Sequence, residues 1–141
     1  MLVVADAVVT MDPARRVLEP GWVQVEGPSV VAVGHGPPPL TRPGEVVHRA
    51  GLLLPGLVSA HQHLLDVVLR GRPAGPTFLD WLLGGYYAGL TGMTPEACRA
   101  ATEWAVADAL RAGITTIVDC WGIDNGADPA RTLACAEASL D

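Results

Sequence analysis

At 141 residues the chain is long enough for one modest domain or two partial ones. Half of its residues are apolar and 17% are charged, which excludes a disordered chain and leaves ample material for a core. The net charge is −6 and all nine basic residues are scattered Arg, so nucleic-acid binding through a basic stripe finds no support.

Cys98, Cys120 and Cys135 make an odd count without paired spacing, which predicts free thiols in a reducing compartment. The first residues, Met1–Asp12, carry no basic start and meet Asp6 early, unlike a secretory leader. No run approaches the ~18 apolar residues of a membrane span. The expectation is a cytoplasmic protein that engages neither membrane nor nucleic acid.

Residues 1–54 read as short strands with turn punctuation. Leu2–Ala5 and Ala7–Met11 are β-branched and apolar, and Asp12-Pro13 ends the run. Trp22–Glu26 and Val30–Val33 flank Gly27-Pro28 as a hairpin, and Val46–His48 and Leu52–Leu54 follow the Pro/Gly-rich loop Gly36–Gly44. This spacing predicts a small all-β unit of five or six strands, with His35 and His48 on its surface.

At Pro55-Gly56 the character changes. Leu57–Ala60 fits a short buried strand, and Leu64–Leu69 and Phe78–Leu83 have helical character on either side of Gly71–Pro76. Pro95–Ala112 is the clearest helix, with Thr94 as N-cap, Pro95 at the first position, Glu96 in the first turn and Gly113 to close it. Its apolar face is predicted as Ala97, Ala101, Trp104, Ala105, Ala109 and Ala112. Ile114–Cys120 is a β-branched strand. A last helix is predicted from Asp128 and Pro129, with Leu133, Ala136 and Leu140 on one side.

From residue 55 onward the order strand, helices, strand, helix is that of β/α units with a parallel sheet. The predicted fold class is α/β with an N-terminal all-β part, the domains being 1–54 and 55–141. Two strands of such a sheet cannot cover both its faces. The expectation is therefore an incomplete parallel sheet or barrel, its uncovered surfaces left to a missing part or to a partner, a complementary chain or a homo-oligomer.

The chemistry concentrates in Pro55–Leu64, PGLVSAHQHL. His61 and His63 are two apart at the end of the predicted strand, where residues i and i+2 point to the same side. Two convergent imidazoles make a half-site for Zn²⁺ or Fe²⁺. A bare His-x-His triplet is more often a surface or loop accident; its place after a Pro-Gly turn and an apolar strand brings the metal reading level with that one.

These residues carry a resemblance. PGLVSAHQHL, then Leu69-Arg70-Gly71, Asp80-Trp81-Leu82, Thr94-Pro95-Glu96 and the strand Gly113–Asp119 follow one another as in the amidohydrolase superfamily. The chain is most similar to the aminohydrolase branch of cytosine, guanine, 8-oxoguanine and S-adenosylhomocysteine deaminases and triazine hydrolases. The resemblance implies a small β-sandwich segment followed by the first β/α units of a (β/α)₈ barrel. It also implies one divalent metal, zinc or iron, whose activated water hydrolyses a non-peptide C–N bond, as in deamination of a small heterocyclic substrate.

The resemblance further implies a third His on strand five and an Asp on strand eight as ligands, with a Glu and another His as proton carriers. Only His61 and His63 of that set have counterparts here. The expectation is the N-terminal portion of such a hydrolase, inactive by itself. The alternative is a non-catalytic or split piece that a complementary chain completes.

Around this pair, Asp119 at the end of the second strand, its neighbour Trp121, and Trp81 are candidates to face a substrate, each with a structural role as the competing reading. Arg70 reads as a structural ion pair in preference to a substrate-anion contact. Cys120 reads as a small buried apolar residue and Asp66 as a helix-surface acid. Leu90 stands where adenosine-type members place a ribose-binding acid, which disfavours a nucleoside.

Overall fold

The computed structural model describes residues 1–72, 75–120 and 129–139. They divide into two compact units, Met1–Pro55 and Gly56–Asp141.

The first unit is a five-stranded sheet: β1 (Leu2–Val9), β2 (Val17–Leu18), β3 (Gly21–Glu26), β4 (Ser29–His35) and β5 (Val47–Leu53). β1 is its centre. β3 pairs antiparallel with Leu2–Ala5 and β2 with Val8 and Val9, while β5 runs parallel to β1 from Leu2 to Val8. The β3–β4 hairpin closes Glu26 onto Ser29, and Gly27 supplies the positive φ of 56° that a tight two-residue turn needs. The indole of Trp22 lies over Gly34 of the partner strand, where any Cβ would overlap the ring.

Two predicted strand pairs are single strands. Asp6 does not interrupt β1, and Gly51 does not interrupt β5, because ladder bonds to a neighbour outweigh the low strand propensity of Asp and Gly. The short β2 was not predicted; two residues leave too little pattern. A sandwich needs two facing sheets, and the described residues of this unit build one. His35 and His48 are exposed, as expected.

In the second unit β6 (Leu57–Gln62) and β7 (Ile114–Asp119) pair in parallel, as the β/α order predicts. Between them come a 3₁₀ turn at Leu64–Leu69 and a continuous helical stretch, Phe78–Asp80, Trp81–Tyr87 and Ala88–Leu90, whose middle is wound as π-helix. The long helix Pro95–Arg111 follows β-extended Thr94, whose Oγ accepts the Ala97 N–H at 3.2 Å, so the predicted cap forms. Gly113, at φ 81°, ends the helix in the left-handed conformation, and its carbonyl accepts the Leu57 N–H at 2.8 Å. One glycine thus both stops the helix and docks it onto β6.

The core of this unit joins Leu64, Leu65, Val67, Tyr86, Leu90, Cys98, Ala101, Ala105 and Cys135. Three predicted faces differ from those observed. On the long helix Ala101, Ala105 and Ala109 are buried as predicted, joined by Cys98 and Thr102, while Ala97 and Ala112 are exposed and Trp104 is 50% exposed with the Arg70 guanidinium over its ring. On the last helix, Pro129–Ala138, the buried side is Ala134, Cys135 and Ala138, and Leu133 faces out. Small side chains let two helices approach closely, and an ion pair between Arg99 and Glu137 joins these two, so packing follows the small residues. The predicted cap Asp128 and the predicted contact residue Leu140 lie outside the described residues.

The third difference concerns β6. Leu57 and Val58 are 49% and 66% exposed, although the strand reads as buried. β6 has one strand partner, β7, and among the described residues no second layer covers its outer face. No described helix is long and apolar enough to cross a membrane.

Candidate metal centre

The β6–β7 pairing is irregular at two places, Leu57/Val58 at the start of β6 and Ser59/Gln62 at the histidines. Ser59 pairs with Ile117 and Gln62 with Asp119, so β6 carries one more residue than β7 across this interval. An extra residue of this kind bends a strand and re-aims its side chains. His61 lies inside the interval. His63 lies just beyond the strand, in extended conformation (φ −115°, ψ 98°), as the residue that begins the 3₁₀ turn. The two rings stand edge to face, 89° apart in plane, with centroids 5.0 Å apart.

The end of β7 holds this segment. The Cys120 N–H donates to the Gln62 carbonyl at 2.6 Å, and the Leu64 N–H donates to Asp119 Oδ1 at 3.1 Å. His63 Nδ1 is hydrogen-bonded to the Cys120 carbonyl. A carbonyl only accepts, so the proton sits on Nδ1 and the lone pair on Nε2. That is the usual support of a metal-ligating imidazole, whose second nitrogen is fixed by a backbone or carboxylate oxygen. His61 Nδ1 lies 3.1 Å from Cys120 Sγ.

Cys120 is therefore not the buried apolar residue the sequence suggests. It is part-exposed and touches both histidines, one through its thiol and one through its carbonyl. Fifty-seven residues separate it from His63, and no spacing rule connects them.

Asp66 also departs from expectation. It is half-buried, and its Oδ1 is buried with no hydrogen-bond partner among the described residues. Burial raises its pKa above the usual carboxylate value, opposed by the nearby His63 and by a hydrogen bond with Tyr86. Tyr86 is buried, and burial together with the Asp66 charge pushes its phenol up to about 12. Tyr86 stands 6.4 Å from the His63 ring and 5.2 Å from Trp81, forming a continuous aromatic wall beside the pair.

Of the substrate candidates, Trp81 is part-buried in that wall, between Tyr86 and the exposed Phe78. Asp119 lies at the histidines but has one oxygen committed to Leu64. Trp121 lies outside the described residues. Arg70 makes the expected ion pair, at 2.6 Å to Asp108. No third His, Cys, Asp or Glu among the described residues completes a metal-holding group with the two histidines. The donor set fits one divalent ion as half of its protein shell, two imidazole nitrogens on one side.

Residues 52–138 match the amidohydrolase family. The chain is 31% identical, over 86% of its length, to the 5-methylthioadenosine/S-adenosylhomocysteine deaminase of Nitratidesulfovibrio vulgaris, and spans 28% of that protein. Among solved structures it is similar to the atrazine chlorohydrolase of Arthrobacter aurescens TC1 complexed with zinc. The identity is 28% and the TM-score 0.79, covering 99% of this chain and 33% of that one. An adenosine deaminase from Xanthomonas campestris with bound zinc is similar at 26% identity and a TM-score of 0.69, covering 96% of this chain and 31% of that one. The chain therefore spans about a third or less of the relatives it matches, and the family match alone takes in more than half of its own residues: it belongs to the amidohydrolase family.

Proposed function

We propose that His61 and His63 are two protein ligands of one divalent metal, Zn²⁺ or Fe²⁺, in a site that hydrolyses a non-peptide C–N bond of a small heterocyclic compound. The observation that carries this reading is the pair itself: rings 5.0 Å apart, one of them held through Nδ1 by a backbone carbonyl so that Nε2 is free to bind. Zinc in two similar solved structures supports the choice of ion, and deamination by the curated relatives supports the class of reaction. When bound, such an ion lowers the pKa of water and so supplies a nucleophile for an electron-poor ring carbon.

The chain's own contribution is positional. His61 and His63 offer their imidazoles at the end of β6, and the wall of Trp81 and Tyr86 gives a flat heterocycle an apolar surface beside them. Asp119 is assigned to the substrate through the oxygen that Leu64 leaves free, and Trp121 on its place in the sequence alone. In this reading residues 1–54 belong to a β-sandwich segment and 55–141 to the first two β/α units of a (β/α)₈ barrel.

Catalytic zinc usually has three protein ligands. A two-histidine half-site is therefore expected to bind metal without catalysing, and the chain alone to release no ammonia from purines or pyrimidines above blank. Titration with Co²⁺, followed by absorbance, tests the reading. One equivalent should bind, and His61→Asn or His63→Asn should abolish it; binding that survives both substitutions refutes the assignment.

A second reading has its own observation. Leu57, Val58 and Val118, at 52% exposed, lie open on the two paired strands, as they would if a complementary chain or a second copy covered them. Sedimentation of the purified chain separates these cases: a monomer at all concentrations refutes the second copy.

A further inference from the structure

We propose that Asp119 is a positioning residue: together with the Cys120 backbone it clamps the segment Gln62–Leu64 and holds the His63 imidazole in its metal-accepting tautomer. This rests on the metal-centre reading for its use, though not for its geometry.

The argument begins with the start of the 3₁₀ turn Leu64–Leu69. The first N–H groups of any helical turn have no partner within it, and the residue before the turn normally supplies one from its side chain. Here that residue is His63, and it makes no such bond. Its ring is engaged with the Cys120 carbonyl. The Leu64 N–H is satisfied from another strand, by Asp119 Oδ1 at 3.1 Å. Asp119 thus does for the turn what His63 cannot do while its ring serves the site.

The other contacts converge on the same segment. Gln62 is the ladder partner of Asp119, and its carbonyl accepts the Cys120 N–H at 2.6 Å. Ladder pair, amide bond, carboxylate bond and imidazole bond together join Asp119-Cys120 to Gln62, His63 and Leu64. Of these links only the Asp119 carboxylate and the His63 ring come from side chains. Without the carboxylate, the Leu64 N–H loses its acceptor and the His63–Leu64 peptide is free to turn. The His63 ring then leaves the Cys120 carbonyl, its proton distributes between the two nitrogens, and the fraction with a free Nε2 lone pair falls. Asn keeps an acceptor oxygen in the same place; Ala does not.

The test uses the complete metal-free chain at about pH 8, where imidazoles are ordinarily neutral, with ¹⁵N-labelled His read by long-range ¹H–¹⁵N correlation. Wild type and Asp119→Asn should show His63 protonated on Nδ1 and a slowly exchanging Leu64 amide. Asp119→Ala should show mixed tautomers, a fast Leu64 amide and Co²⁺ affinity weakened about tenfold, the lower end for loss of a metal-supporting contact.

An unchanged tautomer and amide in Asp119→Ala overturn the proposal, as does Asp119→Asn behaving like Asp119→Ala. Should Asp119→Ala not fold, wild type and Asp119→Asn decide: a His63 protonated on Nε2, or a fast Leu64 amide, in either overturns it. The Co²⁺ measurement separates the two readings. A chain with the tautomer shift but no Co²⁺ binding keeps the clamp and refutes the metal centre. Co²⁺ binding with one tautomer throughout refutes the clamp alone.

Discussion

β1 and β6 are both short apolar strands, yet they live in opposite surroundings. β1 has ladder partners on both edges, β3 and β2 on one and β5 on the other, and buries Leu2, Ala5 and Val8 almost completely. Among the described residues β6 has β7 alone, and Leu57 and Val58 are largely in solvent. Hydrophobicity does not set burial; the number of partners does. β6 is fixed by other means, a glycine carbonyl at its start and Asp119 and Cys120 at its end. A strand held by polar and backbone contacts at its tip is a good carrier for two histidines, because their placement does not wait on a packed face.

This contrast can be broken first in the core. Leu90 is fully buried, so Leu90→Ala should destabilise the chain by about 2–5 kcal/mol, whereas Val58→Ala on β6 should cost under ~1 kcal/mol. Urea denaturation of the two variants measures the difference; similar losses would mean that β6 is covered in solution. Next in size is Gly56→Ala. A Cβ there would overlap the Thr115 side chain on β7, and overpacking of this kind costs about 1–3 kcal/mol. Because β6 has no other ladder among the described residues, the loss should appear with faster exchange of the Leu57–Gln62 amides. Thr115→Ser should recover little in Gly56→Ala, since the hydroxyl is the nearest atom; Thr115→Gly should recover more.

What was legible in the sequence is what local chemistry decides. Thr94, Pro95 and Gly113 bound the long helix because capping and φ preference act over a few residues. Gly27-Pro28 marks its hairpin for the same reason. The juxtaposition of His61 and His63 follows from two-residue spacing in extended chain, although the strand proves irregular there. Helix faces are legible only in part where small residues compete: Ala101, Ala105 and Ala109 are buried as their spacing predicts, but on an Ala-rich helix the apolar side is degenerate by composition, and Cys98, Thr102 and Cys135 are selected by packing between the helices. The contacts of Cys120, Asp66 and Tyr86 with the site were invisible because each depends on chain crossing from one element to another.

The Asp66–Tyr86 pair gives a smaller, pH-dependent effect. Tyr86 ionises at about 12 in the folded chain and near 10 when unfolded, so between these values the folded state holds the extra proton. Stability should therefore fall as pH rises from about 10 to 12, and show no Tyr86-linked pH dependence below that window. Asp66→Asn removes the carboxylate charge that helps hold the phenol up. The Tyr86 titration, followed by ultraviolet absorbance, should move down and the alkaline loss should shrink. An unmoved titration would mean that burial, with Tyr87 and Asp119, raises the phenol without Asp66.

The three thiols offer the gentlest probe, since alkylation need not perturb the fold at all. Cys98 and Cys135 are buried in the helical core, and burial pushes the Cys135 thiol up to about 11, far from the thiolate that an alkylating reagent attacks. Cys120 is part-exposed at the tip of β7, beside His61. Iodoacetamide on the native chain should therefore modify Cys120 first, with Cys98 and Cys135 following only at the rate of unfolding. A ligand seated on His61 and His63 would crowd Cys120 and slow its reaction, while leaving the two core thiols as they were. If added Zn²⁺ instead slows all three equally, the ion acts on global stability and not on the tip of β7. Peptide mass spectrometry of the partly alkylated chain, with and without Zn²⁺, reads both ratios in one experiment.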